Sequence, residues 1–140
     1  LIVRSCQVHA LMPMMQFSVA PWRILDPEHL EICRNYAHLH QKMGSYILEQ
    51  AHHSAKSGEP IIRHMEYEFP HQGFASCKDQ FMLGDKYLVA PIITKEHTRS
   101  VKLPKGTWKD DTGKKFKGPK TIQVNAPIDR LPYYERISKK

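Results

Sequence analysis

The sequence predicts an α/β segment followed by a small all-β module, and three observations carry this. Up to Pro70 the order is apolar run, long helical stretch, apolar run, which is the grammar of a β-α-β unit. Beyond Pro70 come short strand-like runs separated by turn signals, the pattern of an antiparallel sandwich or barrel. The charge shifts as well: residues 1–94 carry 8 Lys/Arg against 9 Asp/Glu, whereas residues 95–140 carry 13 against 5. The expected domains are therefore 1–69 and 70–140.

Leu1 to Leu11 is apolar with Arg4 and Gln7 inserted, and suits the last turns of a helix. The chain opens on Leu-Ile-Val-Arg, with no initiator Met or signal-peptide pattern, so a fragment with a start upstream is expected. Met12–Val19 is short and apolar between Pro13 and Pro21. It is expected to form a buried strand whose first half packs a core through Met12 and Met14. Pro13, Gln16 and Pro21 interrupt it too often for a membrane span.

A long helix, or two abutting ones, is expected next. Asp26 suits its N-cap, Pro27 its first position and Gly58 its C-cap, with a bend at Gly44-Ser45. Ile61, Ile62 and Met65 then mark a second strand, parallel to the first and ended by Pro70. In the basic part the strand candidates are "KYLVAPIIT", "TRSVKLP", "GTWKDD", "KTIQVN" and "LPYYER". Turns are expected at Pro104-Lys105-Gly106, Asp111-Thr112-Gly113 and Gly118-Pro119.

Little in the chain announces chemistry directly. Cys6, Cys33 and Cys77 are odd in number and form no C-x-x-C pair, so buried free thiols and, weakly, a reducing, cytoplasm-like compartment are expected. No two of the nine histidines lie three or four residues apart, so no helix face carries a metal pair, and no metal or cofactor is expected. Asp110-Asp111 suit a solvated turn. Glu66 and Glu68 share one face if their strand stays extended, and are minor candidates for touching substrate. No nucleophile elbow, phosphate loop or H-E-x-x-H occurs. The lysines of the second part are spread over strands rather than interleaved with stacking aromatics, which argues for a solvated surface and against nucleic acid.

The order of five motifs is more telling. "MPMMQFSVAPW", "GEPIIRHMEYEFP", "DQFMLGDKYLVAPI", "VKLPKGTWKDD" and "LPYYER" together resemble the C-terminal portion of glycoside hydrolase family 31, nearest its myogenesis-regulating glycosidase-like branch. The resemblance covers nearly the whole chain. It implies the last β-α-β part of a (β/α)8 TIM barrel, with strands seven and eight at Met12–Val19 and Ile61–Met65. A proximal C-terminal antiparallel β-sandwich would follow. It implies a retaining exo-acting α-glycosidase that removes terminal α-galactose or α-glucose from an oligosaccharide substrate. Such enzymes use two carboxyls about 5 to 5.5 Å apart. The family keeps both on earlier strands, so no catalytic residue is expected in this chain, which alone should be inactive.

What remains is a share of the sugar pocket. Gln16, Phe17 and Ser18 stand where many family members have Arg-Asn-His, which favours the α-galactoside reading. Gln16 and Ser18 would then offer neutral hydrogen bonds, and Trp22 an apolar platform for a sugar face. Ser5 and Ser45 also depart from the family's usual Trp and Pro. The competing readings are a non-catalytic carbohydrate-binding or structural module and a basic nucleic-acid-binding β-domain. The remainder of the barrel is an expected partner, and the oligomeric state is open.

Overall fold

The computed structural model describes residues 1–139 and divides into two compact units, Leu1–Ile61 and the chain from Ile62 onward. The first unit is helical. Helix α1 (Ile2–Ala10) packs on α2 (Pro27–Ser57), a single helix of 31 residues. The ends of α2 are those the sequence predicts. The Asp26 carboxylate accepts from the His29 N–H at 2.9 Å, Pro27 occupies the first turn, and Gly58 closes the helix at φ 77°. The expected bend at Gly44-Ser45 is not a break: the helix runs through it. The seam between α1 and α2 buries Val3, Cys6, Ala10, Leu11, Ile32 and Cys33. The Cys6 thiol donates to the Cys33 carbonyl at 3.6 Å, and the His40 ring lies 3.1 Å from the Ala10 carbonyl.

Met12–Val19 forms no strand, which corrects the expectation. A strand is stable only when a neighbour completes its ladder, and none of the described residues pairs with this one. Nor does Met14 pack a core, since it is 81% exposed. Among the described residues, no helix is long and apolar enough to cross a membrane.

The second unit is one six-stranded antiparallel sheet in the order β1-β2-β3-β6-β4-β5. The strands are β1 (Ile62–His64), β2 (Phe81–Leu83), β3 (Tyr87–Val89), β4 (Thr98–Asp110), β5 (Lys115–Asn125) and β6 (Tyr133–Ser138). All six belong to one hydrogen-bonded sheet, where the sequence suggests an antiparallel sandwich or barrel. The predicted second strand is also shorter and paired differently. It covers only Ile62–His64, runs antiparallel to β2, and gives way to a helical turn, α3 (Met65–Glu68). The His64 ring turns the chain here, because its Nδ1 accepts from the Glu66 N–H at 3.1 Å and caps α3. Pairing with β2 therefore places residues 62–69 in the second unit, although the expected boundary lies at Pro70.

Two predicted strands merge into β4, because Pro104-Lys105-Gly106 is a bulge and not a turn. Leu103 faces Lys120 and Gly106 faces Gly118, so β4 takes three steps where β5 takes two. The additional residue changes which face the side chains occupy. Before the bulge Val101 and Leu103 are buried; after it Gly106, Trp108 and Asp110 are. β5 keeps one parity throughout, with Phe116, Ile122 and Val124 inward. Two glycines make the close approach possible: a Cβ on Gly118 would sit 2.0 Å from the Pro104 oxygen, and one on Gly106, at φ 129°, 2.6 Å from the Ser138 oxygen.

The core gathers Met65, Phe69, Phe74, Met82, Leu88, Val101, Leu103 and Tyr134 about Trp108, which is fully buried. Its indole N–H donates to the Pro104 carbonyl at 3.0 Å. Phe69 meets the indole edge-on at a centroid distance of 5.9 Å. Arg136 lies over both Phe69 and Trp108, and donates to Glu68 at 2.9 Å. Glu68 also accepts from Arg63 at 2.7 Å, so one carboxylate joins β1, α3 and β6. Arg99 donates to the Asp79 carboxylate at 2.8 Å and to the Asp79 and Pro91 carbonyls. The Gln80 side-chain amide accepts from the Lys102 N–H and donates to the Lys102 carbonyl, both at 2.9 Å.

Trp108→Ala should cost about 3–5 kcal/mol in urea unfolding, whereas deleting Lys105, which removes the additional residue and leaves Leu103 and Trp108 on one face of a regular strand, should keep unfolding cooperative. In hydrogen exchange, amides 12–19 should exchange far faster than those of β4 and β5. Glu135 accepts from Lys109 at 2.6 Å and Lys86 at 3.0 Å, and these bonds hold its carboxyl below the ordinary 4.5. A depressed carboxyl lends stability that is complete above the unfolded value and lost as pH falls through the folded one. The melting temperature should therefore decline below about pH 4.5, and Glu135→Gln should lower it at neutral pH while flattening that acid limb.

Candidate functional site

The predicted sugar-binding residues lie between α1 and α2. Pro13 and Pro21 lack amide donors, and the segment between them leads into a single 3-10 turn at Pro21–Arg23. The amides of Arg23 and Ile24 donate to the carbonyls of Ala20 and Pro21 at 3.0 and 3.1 Å, and Asp26 then opens α2. Trp22 is the middle residue of this turn and is 71% exposed.

Gln16 and Ser18 border the same open cavity of about 200 Å³, together with Phe17 and the α1 residues Ser5, Cys6 and His9. The structure thus brings Gln16 and Ser18 together. Trp22 does not line this cavity. Ser5 and His9 stand one helical turn apart on α1, with Ser5 Oγ 3.4 Å from His9 Nδ1. Sequence reasoning passed over His9 as a site residue, and noted Ser5 only as a departure from a usual Trp. The signal that finds them is their i,i+4 spacing on the helix just before the motif.

The cavity's polar groups are hydroxyls, an amide and an imidazole, and no carboxyl lines it. It is suited to hydrogen-bonding a neutral polyol, and holds neither the nucleophile nor the acid of a glycosidase. The Cys6 thiol at its wall is pushed up to about 12 by burial and by the nearby Cys33, so it is no nucleophile at neutral pH.

The other candidates have structural partners. Glu66 sits in α3 and not on an extended strand, so it shares no strand face with Glu68. Its carboxylate accepts from the His71 and Phe74 amides at 2.8 and 3.0 Å, and these bonds, that of His71 first, hold it below its ordinary value. Glu68 is taken by Arg63 and Arg136. Asp110 is buried, not solvated: one of its oxygens accepts from the Thr112 amide and hydroxyl and from the Lys114 amide. Asp111 makes a two-pronged pair with Arg130, 2.8 Å at each contact. Among the described residues, no three His, Cys, Asp or Glu side chains converge in a manner that would hold a metal ion.

Comparison with known proteins agrees with this architecture. Residues 58–138 match the family model described as the glycosyl hydrolase family 31 C-terminal domain. The chain is 35% identical over 132 residues to the mouse myogenesis-regulating glycosidase, covering 92% of this chain and 18% of that protein. Among solved structures it resembles a family 31 dextranase of Flavobacterium johnsoniae complexed with isomaltotriose, at TM-score 0.87 and 29% identity. That match covers 96% of this chain and 18% of the dextranase. An uncharacterized protein of Listeria monocytogenes in complex with α-D-glucose superposes at TM-score 0.91 and 28% identity, over 96% of this chain and 14% of that one. The chain thus spans less than a fifth of the length of each of these relatives. With the motif order, the antiparallel sheet and the matched domain in agreement, this chain belongs to glycosyl hydrolase family 31.

Proposed function

We propose that the chain is the C-terminal portion of a retaining exo-acting α-glycosidase that removes terminal α-linked hexoses from oligosaccharides. One observation carries the site reading: Gln16 and Ser18, in a chain of this family, line one cavity furnished with neutral hydrogen-bonding groups. In the whole enzyme the segments 12–19 and 62–64 are strands seven and eight of a (β/α)8 barrel, and α2 is the helix between them. Two features support this. The first segment has no ladder among the described residues, and β1 is an end strand of its sheet. Both therefore offer an edge to further strands. The barrel's chemistry gathers at the carboxyl ends of its strands, where residues 16–22 follow strand seven.

The mechanism requires one carboxylate to attack the anomeric carbon and a carboxylic acid to protonate the leaving oxygen. A covalent glycosyl-enzyme forms, and water then hydrolyses it with the second group acting as base. Both groups belong to polypeptide preceding Leu1. This chain's share is recognition: Ser18 and Gln16 hydrogen-bond sugar hydroxyls, and Trp22 presents an apolar face to the ring. Neutral donors in place of a charged clamp favour α-galactoside over α-glucoside. The lack of any carboxyl in the cavity also suits a second reading, a carbohydrate-binding module without catalysis.

The 140-residue chain alone should hydrolyse neither p-nitrophenyl α-galactoside nor the α-glucoside. In the protein extended upstream through the whole barrel, hydrolysis of one of these glycosides with retention at the anomeric carbon is expected. There Ser18→Ala and Gln16→Ala should each lower kcat/KM by about tenfold, the worth of one good hydrogen bond. An extended protein that binds the sugar without cleaving it would establish the second reading. Full activity in both variants would remove Gln16 and Ser18 from the site.

A further inference from the structure

The hairpin of β4 and β5 presents a face that the sugar cavity does not use. The parity that turns Trp108, Phe116, Ile122 and Val124 inward turns Lys105, Thr107, Lys109, Lys115, Lys117 and Thr121 outward. In register, Lys109 faces Lys115 and Thr107 faces Lys117. Like charges directly opposite each other on a sheet are unfavourable, by a few tenths of a kcal/mol or more. Only Lys109 of these four lysines has an acidic partner, Glu135 at 2.6 Å; among the described residues no salt bridge reaches Lys105, Lys115 or Lys117. No outward position of either strand is acidic or aromatic.

The result is a cluster of ammonium groups on the last two strands of the sheet, with the Thr107 hydroxyl between Lys105 and Lys109 on β4. Lys115 and Lys117 stand about 7 Å apart along β5, from the strand's rise per residue. Neutral hydroxyls beside cations suit a ligand that offers both anions and hydroxyls at a repeat. We propose that this face binds a linear acidic polysaccharide bearing carboxylate or sulfate groups. Single-stranded nucleic acid fits less well, because stacking needs exposed aromatic rings. Here Phe116 faces inward, with Lys114 and Lys120 over its ring, and Trp108 and Tyr134 are buried. An anionic membrane fits less well because Pro119 is the one apolar side chain on the outward positions of the two strands, with no large apolar group to insert. A neutral α-glycoside has no need of these charges, so the face is distinct from the pocket at Gln16 and Ser18.

The test is affinity electrophoresis of the 140-residue chain through gels containing polygalacturonate, dextran sulfate or neutral dextran. Poly(dT) and phosphatidylserine vesicles are compared in solution. Retardation by polygalacturonate, dextran sulfate or both at about 50 mM salt, lost by about 200 mM, is expected, with no retardation by dextran. Which of the two acts identifies the anionic group. Lys115→Gln with Lys117→Gln should weaken binding by roughly tenfold, at about 1 kcal/mol or less per lysine. Lys56→Gln, on α2, should leave binding unchanged. Each single variant should lose a few-fold, so the result does not hang on the double variant's folding, which circular dichroism monitors. The proposal is overturned by failure of both acidic polymers to retard the chain, by equal retardation in dextran, by wild-type binding in the lysine variants, or by tighter binding to poly(dT) or vesicles.

Discussion

The additional residue that β4 carries between Leu103 and Gly106 decides which side chains reach the core of the sheet. A regular strand alternates strictly, so Val101 and Leu103 on one face commit Lys105, Thr107 and Lys109 to the same face. That arrangement would bury three polar or charged residues and expose Trp108. The bulge reverses the alternation once, and the indole joins Val101 and Leu103 in one cluster. The adjoining contacts depend on it. Gly118 of β5 must lack a side chain to admit the Pro104 carbonyl, and that carbonyl receives the indole N–H. Phe69 and Arg136 then rest on the indole ring.

Charge is handled in two ways in this unit. Where it is buried it is paired: Arg63 and Arg136 share Glu68, and Arg99 is spent on Asp79 and backbone carbonyls. Removing one member of such a set leaves the others desolvated and unmatched, a larger loss than the pair's net worth. Where charge lies on the outer face of β4 and β5 it is largely unmatched, and the lysine excess of residues 95–140 is concentrated in these two strands and the turn between them.

Helical structure was the most legible part of the sequence. Asp26, Pro27 and Gly58 mark both ends of α2 because capping is local chemistry, complete within four residues. The turn at Asp111-Thr112-Gly113 was legible for the same reason. The bulge was not, because Pro-Lys-Gly has the composition of a turn. Only the change of parity between Leu103 and Trp108 betrays it. The segment 12–19 has the composition of a strand, but composition cannot supply the neighbour a ladder requires. Glu66 and Glu68 looked like a pair on one face until the His64 cap turned the chain into a helical turn. At the candidate site Gln16 and Ser18 were legible through motif resemblance, whereas Ser5 and His9 became visible only when α1 was set beside them.

The two hydrogen bonds from Gln80 to Lys102 have a further consequence. In its first half β4 is paired with β5 alone, so its other edge presents amides and carbonyls that a foreign chain could extend. The buried Gln80 amide mimics one residue of an adjoining strand and fills the middle of that edge. A passing polypeptide therefore finds the template already occupied, by Gln80 at Lys102 and by Gln72, which accepts from the Lys105 N–H, and the longest hairpin of the molecule is denied to intermolecular sheet growth by side chains of its own unit.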